Sequence, residues 1–288
     1  MARILVTTAT GRVGSALLPR LTAAGHSVVA VTRREQTAAR LREQSIEPIV
    51  ADLKQPASLQ AAMDGVDAVF LATPDDPEQD SMEAALIAMI AESGKPHVVK
   101  LSAQSAGLDP PVSFGIHHRR SELALEQSGL PYTILRPTFF QQSLLLFADD
   151  VAKKRRITAP VGSGKIAMVN IEDIAGTAAA VLGNDVHYGK TYTLTGPSAH
   201  GFDEVVGHLS GMLDAPVGHT SPPALAARLL MPFLTGMPRW QTSLVVDLMT
   251  ALRDGAQENV TSDIEDVTGS APIALEDFLA SNISAFRH

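Results

Sequence analysis

Apolar and polar positions in the first half of the chain follow two alternating rhythms. The runs RILVT (3–7), SVVAVT (27–32), EPIVAD (47–52), DAVFLAT (67–73), HVVKLSA (97–103) and YTILRP (132–137) have the length and side chains of buried strands. The segments between them have helical spacing. VGSALLPRLTAAG places Val13, Leu17, Leu18 and Leu21 on one face and meets a natural stop at Gly25. Pro19 falls inside that pattern, so a kink or a restart is expected there. REQTAARLREQ, ASLQAAMDG, DSMEAALIAMIAESG and RRSELALEQSG supply the other helices. Strand–helix alternation of this kind predicts an α/β fold, a Rossmann-type doubly wound parallel sheet. Right-handed crossovers then bring Thr8, Thr32, Asp52, Thr73, Ser102 and Pro137 to one sheet edge, where such folds bind ligands.

The rhythm changes after about residue 150. IEDIAGTAAAVLG is a helix with an acidic first turn, and KTYTLTG is a strand. Residues 202–288 alternate helical stretches with Pro-rich turns. The expected organisation is a nucleotide-binding domain over 1–150 and a smaller, mostly helical lobe over 151–288 lying over the strand edge. Part of the second segment, near 165–195, returns to the sheet. Phe233, Met237 and Trp240 are either walls of an apolar substrate cleft or core of that lobe.

Composition narrows the function classes. The 288 residues are 45% hydrophobic and 19% charged, as in ordinary globular proteins. A net charge of −8 argues against a nucleic-acid surface. Without cysteine, disulfides, thiolate nucleophiles and Cys-ligated metals are excluded. MARILVTT enters a strand at once, with no signal-peptide pattern, and no apolar run is long enough for a membrane span. A cytoplasmic location is expected. No HxxxH or HExxH spacing occurs, and His117 and His118 are adjacent, so no metal site is expected. GSGK (162–165) is a loop and KKRR (153–156) a solvated charge run.

The candidate chemistry begins at VTTATGRVG. Its segment from Thr8 through Thr10, Gly11, Arg12 and Val13 to Gly14 stands where a dinucleotide fold places a glycine-rich turn at a helix N-terminus. Gly11 and Gly14 suit the close approach of pyrophosphate and of helix to strand. Thr8 occupies the position of the first glycine, where a positive φ would strain it and a negative φ would leave only a steric cost beside the cofactor. At the end of the second strand Arg33 and Arg34 replace the usual ribose-binding acid, which favours a 2′-phosphate and hence NADP(H). Asp52 either accepts from the adenine amino group or caps a turn.

ILVTTATGRVGSALLPRLTAAGHSVVAVTRR, GVDAVFLATP, SGLPYTILRPTFF and MVNIEDIAGTAAAVL occur in the order found in the NmrA-like family of atypical short-chain dehydrogenases/reductases. The chain resembles that family over most of residues 1–195, and its tail, ENVTSDIEDVTGSAPIALEDFLASN, resembles the family's ending. The chain also resembles the group of this family that contains NADPH-dependent quinone reductases and triphenylmethane reductases. The resemblance implies Gly11, Arg12 and Gly14 at the pyrophosphate and Arg33 near the 2′-phosphate. It also implies Asp52 and Thr73 around adenine and Pro137 to Phe140 near the nicotinamide. The chain departs from the family's GxxGxxG turn at Thr8. It also lacks the Tyr-x-x-x-Lys pair of typical short-chain dehydrogenases.

At the position of that pair stand His118 and Glu122, one helical turn apart. His118 is the candidate proton donor, with Glu122 expected to raise its pKa toward neutrality, and Ser102 is the candidate donor to a substrate oxygen. Lys100 and Ser102 share one side of their strand. The expected function is NADPH-dependent reduction of a small apolar electrophile such as a quinone. Two alternatives stand: an NADP-binding redox sensor without turnover, and a cofactor-free isomerase or lyase. Homodimer formation, and a protein partner under the regulatory reading, stay open.

Overall fold

The computed structural model describes residues 1–109 and 112–287. In chain order its strands and helices are β1 (Arg3–Val6), α1 (Arg12–Ala23), β2 (Ser27–Thr32), α2 (Glu35–Glu43), β3 (Glu47–Val50), β4 (Ala68–Leu71), α3 (Gln79–Glu92), β5 (His97–Leu101), α4 (Ser113–Gln127) and β6 (Tyr132–Pro137). There follow α5 (Ala148–Lys154), β7 (Arg156–Thr158), β8 (Lys165–Ile166), α6 (Ile171–Val181), β9 (Lys190–Leu194), β10 (His200–Gly201) and α7 (Phe202–Leu213). β11 (Gly218–Thr220), α8 (Ala224–Thr235), α9 (Arg239–Arg253), α10 (Asp263–Thr268) and α11 (Leu275–Ser281) complete the order.

Seven strands form the main sheet in the order β3-β2-β1-β4-β5-β6-β9. The pairings from β3 through β6 are parallel and in register, for example Leu5 opposite Val29 and Val69. The direction of strand order reverses at β1, so the switch point lies between β1 and β4. β1 and β4 are buried on both faces, as the unbroken apolar runs ILV and AVFL require. β3 holds Pro48 and stands at the sheet margin, where a missing backbone donor is tolerated. The predicted α/β fold with a parallel sheet is the observed one.

The chain divides into two compact units. The first comprises 1–103, 117–136 and 171–192; the second comprises 104–116, 137–170 and 193–288. In the first, α1 buries Val13, Gly14, Leu17, Leu18 and Leu21 and runs through Pro19 as one helix, without the expected restart. α6 has the expected acidic first turn, and Glu172 in that turn receives a 2.7 Å contact from Arg20 of α1. The run ASLQAAMDG is a 3₁₀ helix over Pro56–Met63.

The core of the second unit is built from Leu144, Ile157, Phe202, Leu209, Leu252, Phe278 and Phe286, among others. Phe233 and Trp240 are exposed, which removes the lobe-core account of these two residues. The GSGK glycines serve packing: a Cβ on Gly164 would fall 2.2 Å from the Leu252 carbonyl oxygen. Lys153 and Lys154 pair with Asp149 and Asp150 on the exposed surface of α5. Among the described residues, no helix is long and apolar enough to cross a membrane.

Candidate functional site

The turn after β1 is held by side chain and backbone together. Thr7 Oγ1 donates to the Ala72 carbonyl at 2.6 Å and accepts from the Ala72 N–H at 2.9 Å, so one buried hydroxyl ties the carboxyl ends of β1 and β4 together. The Gly11 N–H donates to the Thr8 carbonyl at 3.0 Å and closes the turn. A Cβ on Gly14 would lie 1.9 Å from that same carbonyl oxygen. Helix α1 therefore presses against the turn at a distance only glycine permits. Gly11 is tighter than ordinary contact in the same direction, since a Cβ added there would lie 3.3 Å from the Thr8 oxygen.

Thr8 does not have a positive φ, so the backbone strain considered for it is absent. Its side chain is half-buried. Gly11 is the N-cap of α1, in extended conformation, and no side chain caps the helix. No acidic residue occupies the first turn of α1. The first-turn N–H groups of α1 and its positive dipole end are thus left for an anion, and this cradle fits a pyrophosphate. Val13 is buried beneath the turn, while Thr10 and Arg12 are exposed on it. Arg33 and Arg34 follow β2 directly, and both are exposed. Asp52 Oδ1 accepts the Lys54 N–H at 3.0 Å, so the turn-forming alternative is realised for one of its oxygens.

Away from the turn, a chain of buried charges runs through β5, α3, α4 and β6. Lys100 is fully buried and its ammonium pairs with Glu83 of α3, which is equally buried. Thr73, expected near adenine, donates its hydroxyl to Glu83 Oε1 at 2.5 Å, and Gln79 donates to the same oxygen at 3.3 Å. Burial pushes the Glu83 carboxyl up, but the Lys100 charge, His118 and the hydrogen bonds from Lys100 and Thr73 outweigh it and lower its pKa to about 2.

Ser102 donates to Glu122 Oε1 at 2.6 Å. Arg136 grips Glu122 with two hydrogen bonds, at 2.9 Å and 2.6 Å, and Arg119 adds a third donor at 3.0 Å. Burial pushes the Glu122 carboxyl up, while the bonds from Arg136 and Ser102, with the charge of Arg136, bring it below its ordinary value. The structure therefore joins Ser102 to Glu122 as a hydrogen-bonded pair, with Arg136 held on the same carboxylate.

His118 is buried on α4. The expectation that its pKa would rise is overturned. Burial and the Lys100 ammonium push it down to about 4, against the opposing pull of Glu83 and Glu122. At neutral pH it is an uncharged imidazole. His117 lies half-buried, with Nδ1 3.2 Å from Asp80. Pro137, expected near the nicotinamide, ends β6 and is buried.

Sequence reasoning does not group Lys100, Glu83 and Arg136. A signal is nonetheless present: each is a single charge inside an otherwise apolar strand or helix, in HVVKL, MEAALIAMI and YTILRP. Such a charge is buried only when partnered.

The turn and its sheet have counterparts in known proteins. Residues 8–185 match the NAD(P)H-binding family. NAD(P)H azoreductase of Xenophilus azovorans is 30% identical over 98% of this chain and 99% of its own. The (4-alkanoyl-5-oxo-2,5-dihydrofuran-3-yl)methyl phosphate reductase of Streptomyces griseus is 31% identical over 98% of this chain and 99% of its own. The solved structure of the Escherichia coli NADPH-dependent quinone oxidoreductase QOR2 with NADPH superposes with a TM-score of 0.90 at 23% identity, covering 96% of this chain and 99% of that one, a likeness of fold. With the glycine cradle at the switch point and full-length relatives of this kind, the chain belongs to the NAD(P)H-binding family.

Proposed function

We propose that this protein is an NADPH-dependent reductase whose acceptor is a conjugated electrophile of the quinone or azo type. The observation that carries the reading is the mutual pairing of the buried polar residues around β5. Lys100 is paired with Glu83, and Glu122 is held by Arg136, Arg119 and Ser102, while burial and the Lys100 ammonium push the His118 imidazole down to about 4. None of these side chains is a ready proton donor of the kind that ketone reduction needs. A conjugated acceptor relaxes that need, because the charge that arrives with hydride is delocalised and solvent can supply the proton. The acceptors of the similar proteins, an azo compound, an alkanoyl furanone and a quinone, share that conjugation.

In this reading the α1 amino end and Arg12 hold the pyrophosphate, and Gly14 allows the approach. Arg33 and Arg34 hold the 2′-phosphate. When bound, the nicotinamide supplies hydride. Ser102, Glu122 and Arg136 keep the end of β5 rigid, and neutral His118 contributes a polar face without a charge.

Calorimetry with NADPH and NADH, followed by the fall of NADPH absorbance with a panel of azo dyes, quinones and furanones, tests this reading. NADPH is expected to bind at least about tenfold tighter than NADH, the equivalent of one charge-assisted contact, with Arg33→Ala removing the preference. Oxidation by at least one conjugated acceptor is expected, with none by simple ketones. NADPH binding without oxidation across the panel favours the redox-sensing alternative, and no binding of either cofactor favours the cofactor-free one.

A further inference from the structure

In the second unit, and unrelated to the cofactor cradle, His200, His208 and Glu276 each present one ligand atom, and these atoms lie within 4.8 Å of one another. His200 stands at β10, His208 on α7 and Glu276 in the first turn of α11. His208 Nε2 is 3.3 Å from Glu276 Oε1, and the two imidazoles meet edge to face with centroids 5.9 Å apart. Glu204 lies between the histidines in sequence, with one oxygen 3.3 Å from His200 Nδ1 and the other 3.0 Å from Lys165.

Residues 200, 204 and 208 are spaced in fours, about one helical turn per step. His200 precedes the helix, in the short strand β10 that leads into α7. This His-x₃-Glu-x₃-His pattern escapes a search for HxxxH, because a glutamate occupies the place of the middle histidine. α11 then supplies the third ligand from a different part of the chain.

We infer that His200, His208 and Glu276 form a binding site for a divalent transition metal of the zinc class. Two imidazoles and one carboxylate are a zinc donor set that leaves a fourth position open. Imidazole donors select against magnesium and calcium, which take oxygen ligands. Donor atoms around tetrahedral zinc are about 3.4 Å apart, given bonds of about 2.0–2.1 Å. The 3.3 Å His208–Glu276 separation already matches; His200, held at Nε2 by Ser198 at 2.7 Å and at Nδ1 by Glu204 at 3.3 Å, gives up one of these contacts to complete the set. Glu204 adds negative charge at the rim. On the outer side, Gly207 and Gly211 leave open space where a Cβ would sit, and with Met212 they line a groove beside His208. Solvent therefore reaches His208. Because Leu275, Phe278 and Leu279 of α11 belong to the core of this unit, the ion fastens α11 to α7.

The test uses the untagged full chain, stripped with chelator and titrated with zinc chloride by calorimetry, with thermal unfolding in parallel. One zinc per chain at micromolar affinity or tighter is expected, with a rise in Tm of a few degrees. His208→Ala and Glu276→Gln are each expected to weaken binding at least tenfold and to abolish the rise in Tm while the metal-free proteins unfold cooperatively. A hundredfold excess of magnesium is expected to leave the zinc isotherm unchanged. Absence of a one-to-one isotherm in the wild type overturns the inference, as does unchanged affinity in either variant or displacement by magnesium.

Discussion

Replacing Lys100 with methionine keeps the volume of a fully buried side chain and removes its charge, leaving Glu83 ionised in a dry site with only Thr73 and Gln79 as donors. The size of the loss follows from the carboxyl itself. Its pKa is lowered from 4.5 to about 2 in the folded protein, which corresponds to about 3 kcal/mol. Breaking one side of a buried pair costs about 3–5 kcal/mol by another route, since the partner's desolvation is no longer compensated. Lys100→Met is therefore expected to lower the unfolding free energy by about 3–5 kcal/mol at pH 7.

The pH dependence gives a sharper discriminator. In the wild type the lowered carboxyl contributes stability that is fully present above pH 4.5 and is lost as pH falls toward 2. Without Lys100, its charge and its hydrogen bond no longer oppose burial and only the His118 charge and the Thr73 hydrogen bond still do, so the Glu83 pKa is expected to rise and the variant to gain relative stability as pH falls and the group takes a proton. Urea unfolding of both proteins at pH 7 and pH 4 should show the gap between them narrowing on acidification. A double variant, Lys100→Met with Glu83→Leu, should recover most of the loss at pH 7, because an apolar pair of similar volume replaces the ions. A single-variant loss below about 1 kcal/mol, the range of an exposed pair, would refute the reasoning. So would a gap of equal size at both pH values.

Three further outcomes follow from the turn and from α4. Gly14→Ala places a Cβ 1.9 Å from the Thr8 carbonyl, so it should cost about 1–3 kcal/mol by overpacking and weaken NADPH binding; calorimetry and thermal unfolding measure both. Thr8→Gly has no strain to relieve and should lower stability by about 0.4–1 kcal/mol through the freer unfolded chain, so a higher Tm would speak against the observed backbone. His118 has a folded pKa of about 4 against 6.5, so the wild type loses stability as pH falls from 6.5 to 4, by up to about 3 kcal/mol; His118→Gln should lose less over that window, and parallel denaturation curves would contradict a buried neutral imidazole.

The alternation of strand and helix was legible because each element keeps its own period over its whole length, from RILV in β1 to YTILRP in β6. The position of the cofactor turn was legible for the same reason: a glycine pair follows the first strand and opens the first helix. The status of Thr8 was not, since sequence does not state φ, and the close approach that makes glycine obligatory falls at Gly14. The charge network shows where local reasoning fails. Glu122 stands one turn from His118, which argues for a raised imidazole pKa. Arg136 lies 14 residues further on and takes that carboxylate, while Lys100 arrives from another strand and adds positive charge beside the ring. Those partners come together only through the sheet register. The His-x₃-Glu-x₃-His site was hidden because its third ligand lies 68 residues beyond His208, in a separate helix.

The Arg20–Glu172 contact has a consequence for the order in which the chain is made. It joins α1 to α6 across 152 residues within one compact unit. At roughly 5–20 residues per second, Glu172 leaves the ribosome about 8–30 s after Arg20. Until then, the face of α1 that α6 covers has no partner, and β6 has no β9 beside it. Loop closure over such a distance is slow relative to local helix formation. The nascent β1–β6 segment therefore spends seconds with an open sheet margin and a bare helix, the period in which its own fold protects it least from aggregation.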